Sequence, residues 1–593
     1  MARDLTHHKH AEEHPSPTSR LFGLLHEDRN DLIALFIYTI VTGMLALAVP
    51  LAAQALVNII AAGIFFQPLI VLTLIVLFGL LFAGALRLMQ LALVEYLQQR
   101  IFARTALLLA QRLPRIRNAA LSGEYAPELV NRFFDTLTVQ KTLAKLLLDG
   151  LAALLQALVG LVLLAFYSPL LLSLDLFIIL FMLFIFFGLG WNGLRTSIAE
   201  SVQKYRVAAW LEELARCHIS FKMNGHLAYL IARADSIVVQ YLIARRRHFR
   251  VIFRQAAGSY LFQAIASAAT LGVGGYLVIN RELTLGQLVA AEIIVVSVLA
   301  AMDKLVQQTE QMFDLLTALD KVGHVTDMPV ERTGGRLLEP GSAGATVVCR
   351  GVRFSYIPGH EILTGLDLTI RSGDRAGLVG VSGAGKSTLA ALICGIEEPS
   401  HGTIEVNGTD VRDLDLASLR RIVSLVGDTE EIFEGTIEEN VTVGRPNITQ
   451  DDVRWALELA QFTRELESMP EGMRTTLVAG GQNLSRGQRQ RLLIARAIVA
   501  RPKLLIIDES FIAIDEQTRQ KLLDAIFAPE NPWTILSITH IDEVVMRSNI
   551  VHVLCDGKIV ESGPPEELAR KDNCAFGPIF PFLTRQIISG FGR

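Results

Sequence analysis

A chain of 593 residues that is 51% hydrophobic and only 19% charged, with a mean hydropathy of +0.40, lies above the composition of soluble globular domains and points to membrane spans. A net charge of −4 argues against a nucleic-acid partner. The five cysteines, Cys217, Cys349, Cys394, Cys555 and Cys574, fall at no metal-binding spacing; an odd, dispersed set reads as reduced thiols and excludes a disulfide framework.

Residues 1–30 are polar and include His7, His8, His10 and His14. They read as a solvated cytoplasmic tail without a cleavable signal pattern. Residues 32–86 contain no charged side chain at all. One crossing takes about 20 apolar residues, so this run predicts two spans, at about 32–60 and 67–95, with Pro50 placed to kink the first. Further apolar runs predict spans at about 150–167, 170–190, 256–279 and 283–302, the third and fourth joined by a tight turn at Ser168-Pro169. The stretch 31–308 is thus expected to be an all-α transmembrane domain of six helices.

The connections set its orientation. Those joining spans one to two and three to four hold no Lys or Arg, whereas the two long connections hold many, among them Arg100, Arg112, Arg195, Arg245, Arg246 and Arg247. The positive-inside rule places these long connections and both termini in the cytoplasm, on a bacterial-type inner membrane. Both read as helices that continue below the bilayer. Two carboxylates, Glu292 and Asp175, lie inside spans, where a charge is costly and usually faces a cavity or a partner. For Glu292 a substrate or ion contact and a structural hydrogen bond both stay open, whereas Asp175 reads as interfacial.

Residues 309–345 form a polar linker rich in glycine near its end. From 346 to 582 short apolar strands alternate with helices, the pattern of an α/β domain on a mostly parallel sheet. Residues 583–593 are a tail. Within the α/β part, Gly380-Val381-Ser382-Gly383-Ala384-Gly385-Lys386-Ser387-Thr388 fits the phosphate-binding loop, between an apolar strand and a helix as that motif requires. Its glycines let successive N–H groups turn toward a phosphate chain, and the helix adds its positive end. Lys386 can reach the β- and γ-phosphates, and the Ser387 hydroxyl can ligate Mg²⁺. Leu504–Asp508 is a continuous apolar strand ending in a carboxylate. Asp508 can hold Mg²⁺, and Glu509 can orient and deprotonate an attacking water.

Leu484-Ser485-Arg486-Gly487-Gln488 opens another helix and offers a second anion site at Ser485, Gly487 and Gln488. This segment resembles the LSGGQ signature of ATP-binding cassette (ABC) transporters, with Arg486 where glycine is usual. The resemblance covers about residues 25–575 and implies an exporter with six spans followed by one α/β P-loop NTPase cassette that hydrolyses ATP with Mg²⁺. In that family the signature of one subunit closes over ATP held by the other, so one cassette per chain implies a homodimer, or a heterodimer with a second half-transporter. Tyr356 resembles the aromatic that stacks on adenine, His540 the histidine that contacts the γ-phosphate, and Asp515 the aspartate of the interface loop. Beside Arg486, two positions and one segment depart from the pattern. Asp428 replaces a glutamine that helps hold the metal, Ala479 a glutamate before the signature, and Ile512-Ala513-Ile514-Asp515 an interface loop that usually reads SALD.

Coupling segments are expected at about 121–135 and 218–225. The cargo implied is a peptide or protein, a lipid or a hydrophobic small molecule. Residues 131–135 and 245–250 resemble the hemolysin-type secretion branch, which implies a membrane-fusion adaptor as a further partner beside the lipid bilayer. The alternative reading, motivated by Asp428 and Ala479, is a nucleotide-gated membrane regulator or channel that moves nothing uphill.

Overall fold

Pro50 has no N–H to give the carbonyl of Ala46, and the first apolar run breaks there: one helix ends at Ala46 and the next begins at Ala48. The computed structural model describes residues 15–61, 66–121, 126–167, 169–339, 341–427, 431–571 and 575–590. Its contacts divide the chain into two units, Met1–Ile116 with Gly123–Pro329, and Arg117–Ser122 with Val330–Arg593. The expected coupling stretch at 121–135 is therefore divided. The chain leaves the first unit after Ile116, contributes Arg117–Ser122 to the second, and returns.

In the first unit, six helices among the described residues are long and apolar enough to cross a membrane: Arg29–Ile60, Phe66–Arg115, Leu129–Ala165, Leu172–Arg216, Leu227–Ile279 and Leu285–Thr326. The unbroken α-helix Phe66–Arg112 has 47 residues. At 1.5 Å per residue it is about 70 Å long, more than twice the hydrocarbon thickness of a bilayer. The helices are therefore apolar for one part of their length and polar for the rest. In the apolar part the last helix is the hub, burying Ala291, Ile294, Val295 and Val298 against Ala153, Ala157, Leu161 and Leu164. Gly160 is what permits the approach, since a Cβ there would meet Val298 at 2.6 Å.

In the polar part, directional contacts take over. Asp135 accepts from the Tyr205 hydroxyl, and the Lys321 ammonium sits 4.6 Å over the same ring. Arg245 pairs with Glu200 at 3.3 Å, and Ser197 shares a hydrogen bond with Thr317. One oxygen of Glu292 is buried with no hydrogen-bond partner. The side chain of Asp175 and the four histidines of the tail lie outside what is described.

Beside a two-stranded ribbon, Gly435–Thr436 with Thr476–Leu477, the second unit has two larger sheets among the described residues. In the antiparallel one, β1 (Val347–Phe354) lies between β2 (Leu363–Ile370) and β4 (His401–Val406), with β5 (Thr409–Asp410) at the edge. The other has β3 (Arg375–Val379) at its centre. On one side follow β8 (Thr534–Ile538), β7 (Leu504–Asp508) and β6 (Val423–Val426), all parallel; on the other lie β9 (Ile550–Cys555), parallel, and β10 (Lys558–Gly563), antiparallel. Every residue of β3 and β8 is buried, as expected of central parallel strands. Arg375 opens β3 from a buried position. Its guanidinium donates to the carbonyls of Phe527, Ala528, Asn531 and Trp533, so one side chain caps the loop leading into β8.

His552 of β9 is buried, with Nδ1 2.7 Å from the Ser562 hydroxyl. Burial pushes its pKa down to about 4. The folded unit then binds fewer protons than the unfolded chain between pH 4 and about 6.5. The stability from neutral His552 is complete above pH 6.5 and lost as pH falls toward 4, by about 3 kcal/mol in all. His552→Gln is expected to flatten this part of the pH profile of urea unfolding, followed by Trp455 and Trp533 fluorescence. Parallel profiles for both proteins would assign the acid sensitivity elsewhere.

Candidate functional site

Ile538 of β8 stands level with Leu378 of β3 on one side and Asp508 of β7 on the other. The carboxyl ends of the three strands are therefore flush, and the loops leaving them share one edge of the sheet, where ligands bind in open α/β folds. The loop after β3 carries the sequence-predicted phosphate site. Gly380 passes so close to β9 that a Cβ would meet the Leu554 carbonyl oxygen at 2.2 Å. Gly383 and Gly385 have φ of +84° and +103°, a region open to glycine at little cost, and Gly385 caps the helix Lys386–Ile393.

Lys386 folds into the ring of this loop. Its Nζ donates to the carbonyls of Gly380 (2.9 Å) and Val381 (3.1 Å). Burial pushes the ammonium pKa down, opposed by the nearby charges of Glu509 and Asp508. Ser382, Gly383 and Ser387 are exposed, whereas Ala384 and Thr388 are buried. Of the two hydroxyls at the end of the motif, Ser387 presents itself to a ligand and Thr388 packs inward.

Asp508 ends β7 with Gly427 against its side chain, where a Cβ would stand 3.7 Å away. The adjoining Asp428 lies outside the described residues. Glu509 adopts φ +53°, an uncommon conformation for a non-glycine residue that concentrates at functional sites. Its N–H donates to the Ile538 carbonyl at 3.0 Å, and its Oε1 lies 3.4 Å from His540 Nε2. The structure thus gathers Lys386, Asp508, Glu509 and His540. Backbone amides plus an ammonium suit a polyphosphate, and a hydroxyl and a carboxylate at one sheet edge are donors of the kind a hard divalent cation takes.

The second predicted anion site is assembled apart from the first. Ser485 caps the helix Arg486–Ile498: its hydroxyl accepts from the Gln488 N–H, and the Gln488 side chain accepts from the Ser485 N–H. A Cβ on Gly487 would meet the Ala513 carbonyl at 2.8 Å, and Gln490 accepts from the Ala513 N–H, so this helix seats on the 511–515 loop. Asp515 caps the next helix by accepting from the Thr518 N–H, which holds its carboxyl below the usual range. Among the described residues no hydrogen bond or ion pair joins Ser485, Gly487 or Gln488 to the phosphate loop of the same chain.

Tyr356 is 49% exposed and stands edge-on to Phe354 at 4.8 Å. It lines a cavity of about 470 Å³ together with Arg117, Asn118 and Glu397. Asn118 donates to the buried Glu397 carboxylate at 2.8 Å. Sequence reasoning missed this contact and the Arg375 cap. The local signal was Pro114, which turns the chain out of the long helix just before Arg117.

A P-loop cassette joined to six membrane-length apolar helices is the class defined by this fold and site. Residues 363–512 match the ABC transporter family model, so the chain carries an ABC cassette, an ATP-binding unit. The chain is similar to the mycobactin import ATP-binding/permease protein IrtB of Mycolicibacterium thermoresistibile, 32% identical over 54% of this chain and 55% of that one. It is also similar to the alpha-hemolysin translocation ATP-binding protein HlyB of Escherichia coli O157:H7, 30% identical over 63% and 53%. The chain spans about half the length of these curated relatives. In fold it matches a bacterial Atm1-family ABC exporter solved with ATP bound, with a TM-score of 0.84 and 22% identity over 93% of this chain and 98% of that one. The exporter fold expected from the sequence is the one the chain adopts.

Gly385→Ala tests the cradle. At φ +103° the new Cβ would also lie 2.8 Å from Leu363 and 3.0 Å from Ile362, and such a backbone costs about 1–3 kcal/mol. The variant is expected to melt at a lower temperature than the parent and to show no rise in melting temperature with Mg·ATP. An undiminished nucleotide-induced rise would show that the loop tolerates a side chain there.

Proposed function

We propose that the protein is an ATP-driven exporter in which two cassettes, from two copies of this chain or from this chain and a second half-transporter, close on shared nucleotide. In this reading Tyr356 stacks on adenine. The amides of Gly380, Ser382, Gly383, Ala384, Gly385 and Thr388 and the Lys386 ammonium hold the phosphates. Ser387 and Asp508, with Asp428, ligate Mg²⁺, which when bound neutralises charge on the β- and γ-phosphates. Glu509 accepts the proton of the attacking water, and His540 holds both Glu509 and the γ-phosphate in place. Ser485, Gly487 and Gln488 cover the nucleotide of the partner chain. The motion of closure reaches the helices through Arg117–Ser122. The cassette and both termini face the cytoplasm.

The observation that carries the reading is the 3.4 Å approach of His540 to Glu509 at the same sheet edge as Lys386. It supplies a base, a positioning group and a phosphate cradle together. The cargoes for which these relatives are named, mycobactin and alpha-hemolysin, differ in chemistry. The proposal extends to an apolar or amphiphilic cargo, in keeping with the composition of the first unit.

Glu509→Gln keeps the size and hydrogen bonding of the side chain but removes its basicity. It is expected to slow ATP turnover by about 10²–10⁴-fold while Mg·ATP still binds, measured as phosphate release and nucleotide retention on the purified protein. Turnover at the parental rate would remove Glu509 from the role of base.

A further inference from the structure

Two π-helical turns interrupt the helices of the first unit, at Leu146–Gly150 and Phe184–Leu189. In each, a backbone N–H reaches back five residues, from Leu151 to Leu146 and from Gly190 to Ile185. Such turns widen a helix and recur at functional sites. Both border one cleft. A lobe of about 420 Å³ is lined by Leu147 and Gly150 of the first turn. A larger lobe of about 940 Å³ is lined by Phe187 and Trp191 at and beyond the second. Leu154, Phe186, Leu305, Thr309 and Met312 line both, so the lobes are continuous.

The chemistry of this cleft changes along its length. The smaller lobe is hydrocarbon apart from Gln308 and Thr309. It is closed on one side by Leu21 and Leu25 of the first helix, Pro17–Glu27. That helix directly precedes the first span, on the side that the positive-inside rule makes cytoplasmic, and short amphipathic helices lie in the headgroup plane. The larger lobe ends at the left-handed Asn192 (φ +68°) and at Arg195. The carbonyls freed by the second π-turn are already satisfied, since the Arg254 guanidinium donates to Leu189 at 2.7 Å and also reaches Trp191. Arg195 is exposed and engages no hydrogen-bond or ion-pair partner among the described residues.

We propose that this cleft seats one acyl chain of an anionic phospholipid from the cytoplasmic leaflet, with Arg195 holding its phosphate. A peptide would bury N–H and C=O groups against walls that offer few partners, whereas an alkyl chain has none to satisfy. A cation free at the rim selects the anionic headgroup. The proposal rests on the first unit being embedded in a membrane, and it holds whether or not the protein exports anything.

Trp191 lies on the cleft wall and is 72% exposed, and so reports occupancy. The full-length protein is placed in phosphatidylcholine vesicles containing equal mole fractions of either chain-brominated phosphatidylglycerol or chain-brominated phosphatidylcholine. The Trp191 signal is obtained as the difference from Trp191→Phe. The expected result is a preference of about fivefold for the anionic lipid, the factor one basic side chain supplies at a membrane surface. Arg195→Gln should abolish this preference while brominated chains still quench. Thr309→Phe, which fills the junction of the two lobes, should reduce quenching by both lipids with ATP binding unchanged. Equal quenching by the two headgroups, a preference that survives Arg195→Gln, or full quenching in Thr309→Phe would each overturn the proposal. The last outcome would mean that the lipid collects at the surface without entering the cleft.

Discussion

Parallel pairing of β3, β8 and β7 holds three strand ends level, and the chemistry of the cassette depends on that level. Ile538 is paired on both sides, with Leu378 and Asp508, and its carbonyl takes the N–H of Glu509 one residue past the ladder. Moving the register by one residue would exchange inward and outward side chains. Asp508 would then leave the edge where Lys386 sits, and Glu509 would leave His540. The completely buried β3 and β8 make such a slip expensive, because it would drive polar residues into the core. Arg375 reinforces the same register from the opposite end of β3.

The first unit answers to a different constraint. In hydrocarbon every backbone group must be satisfied within its helix, so shape there is decided by side-chain volume. Gly160 admits Val298, and Gly193 admits the ring of Phe313, where a Cβ would stand 2.2 Å away. Beyond the apolar part, the same helices are tied by Asp135 with Tyr205, Glu200 with Arg245 and Ser197 with Thr317. The two π-turns lie between these regimes, where a helix with spare carbonyls can still find a donor such as Arg254.

The helix Arg486–Ile498 is built without reference to the phosphate loop that precedes it in the chain. Ser485 and Gln488 satisfy each other, and Gly487 lies on the 511–515 loop. The segment is thus held rigidly without help from the phosphate loop of its own chain. A helix N-terminus held in this way has the geometry that the proposed pairing of two cassettes calls for. Arg486, which replaces the usual glycine, is the first residue of that helix.

By itself the sequence determined the features that depend on residues near one another in the chain. Long uncharged runs read as helices in lipid, and glycines leading into a lysine between a strand and a helix read as a phosphate loop. An apolar strand ending in Asp508-Glu509 likewise announces its position. Tertiary structure alone decided which of these meet. The approach of His540 to Glu509, the cap that Arg375 places on distant carbonyls, and the assignment of Arg117–Ser122 to the cassette join residues far apart in the chain. No periodicity or local propensity encodes those distances. The π-turns escaped detection for a related reason. A helix widened by one residue keeps its composition, and only the packing around it selects the extra residue.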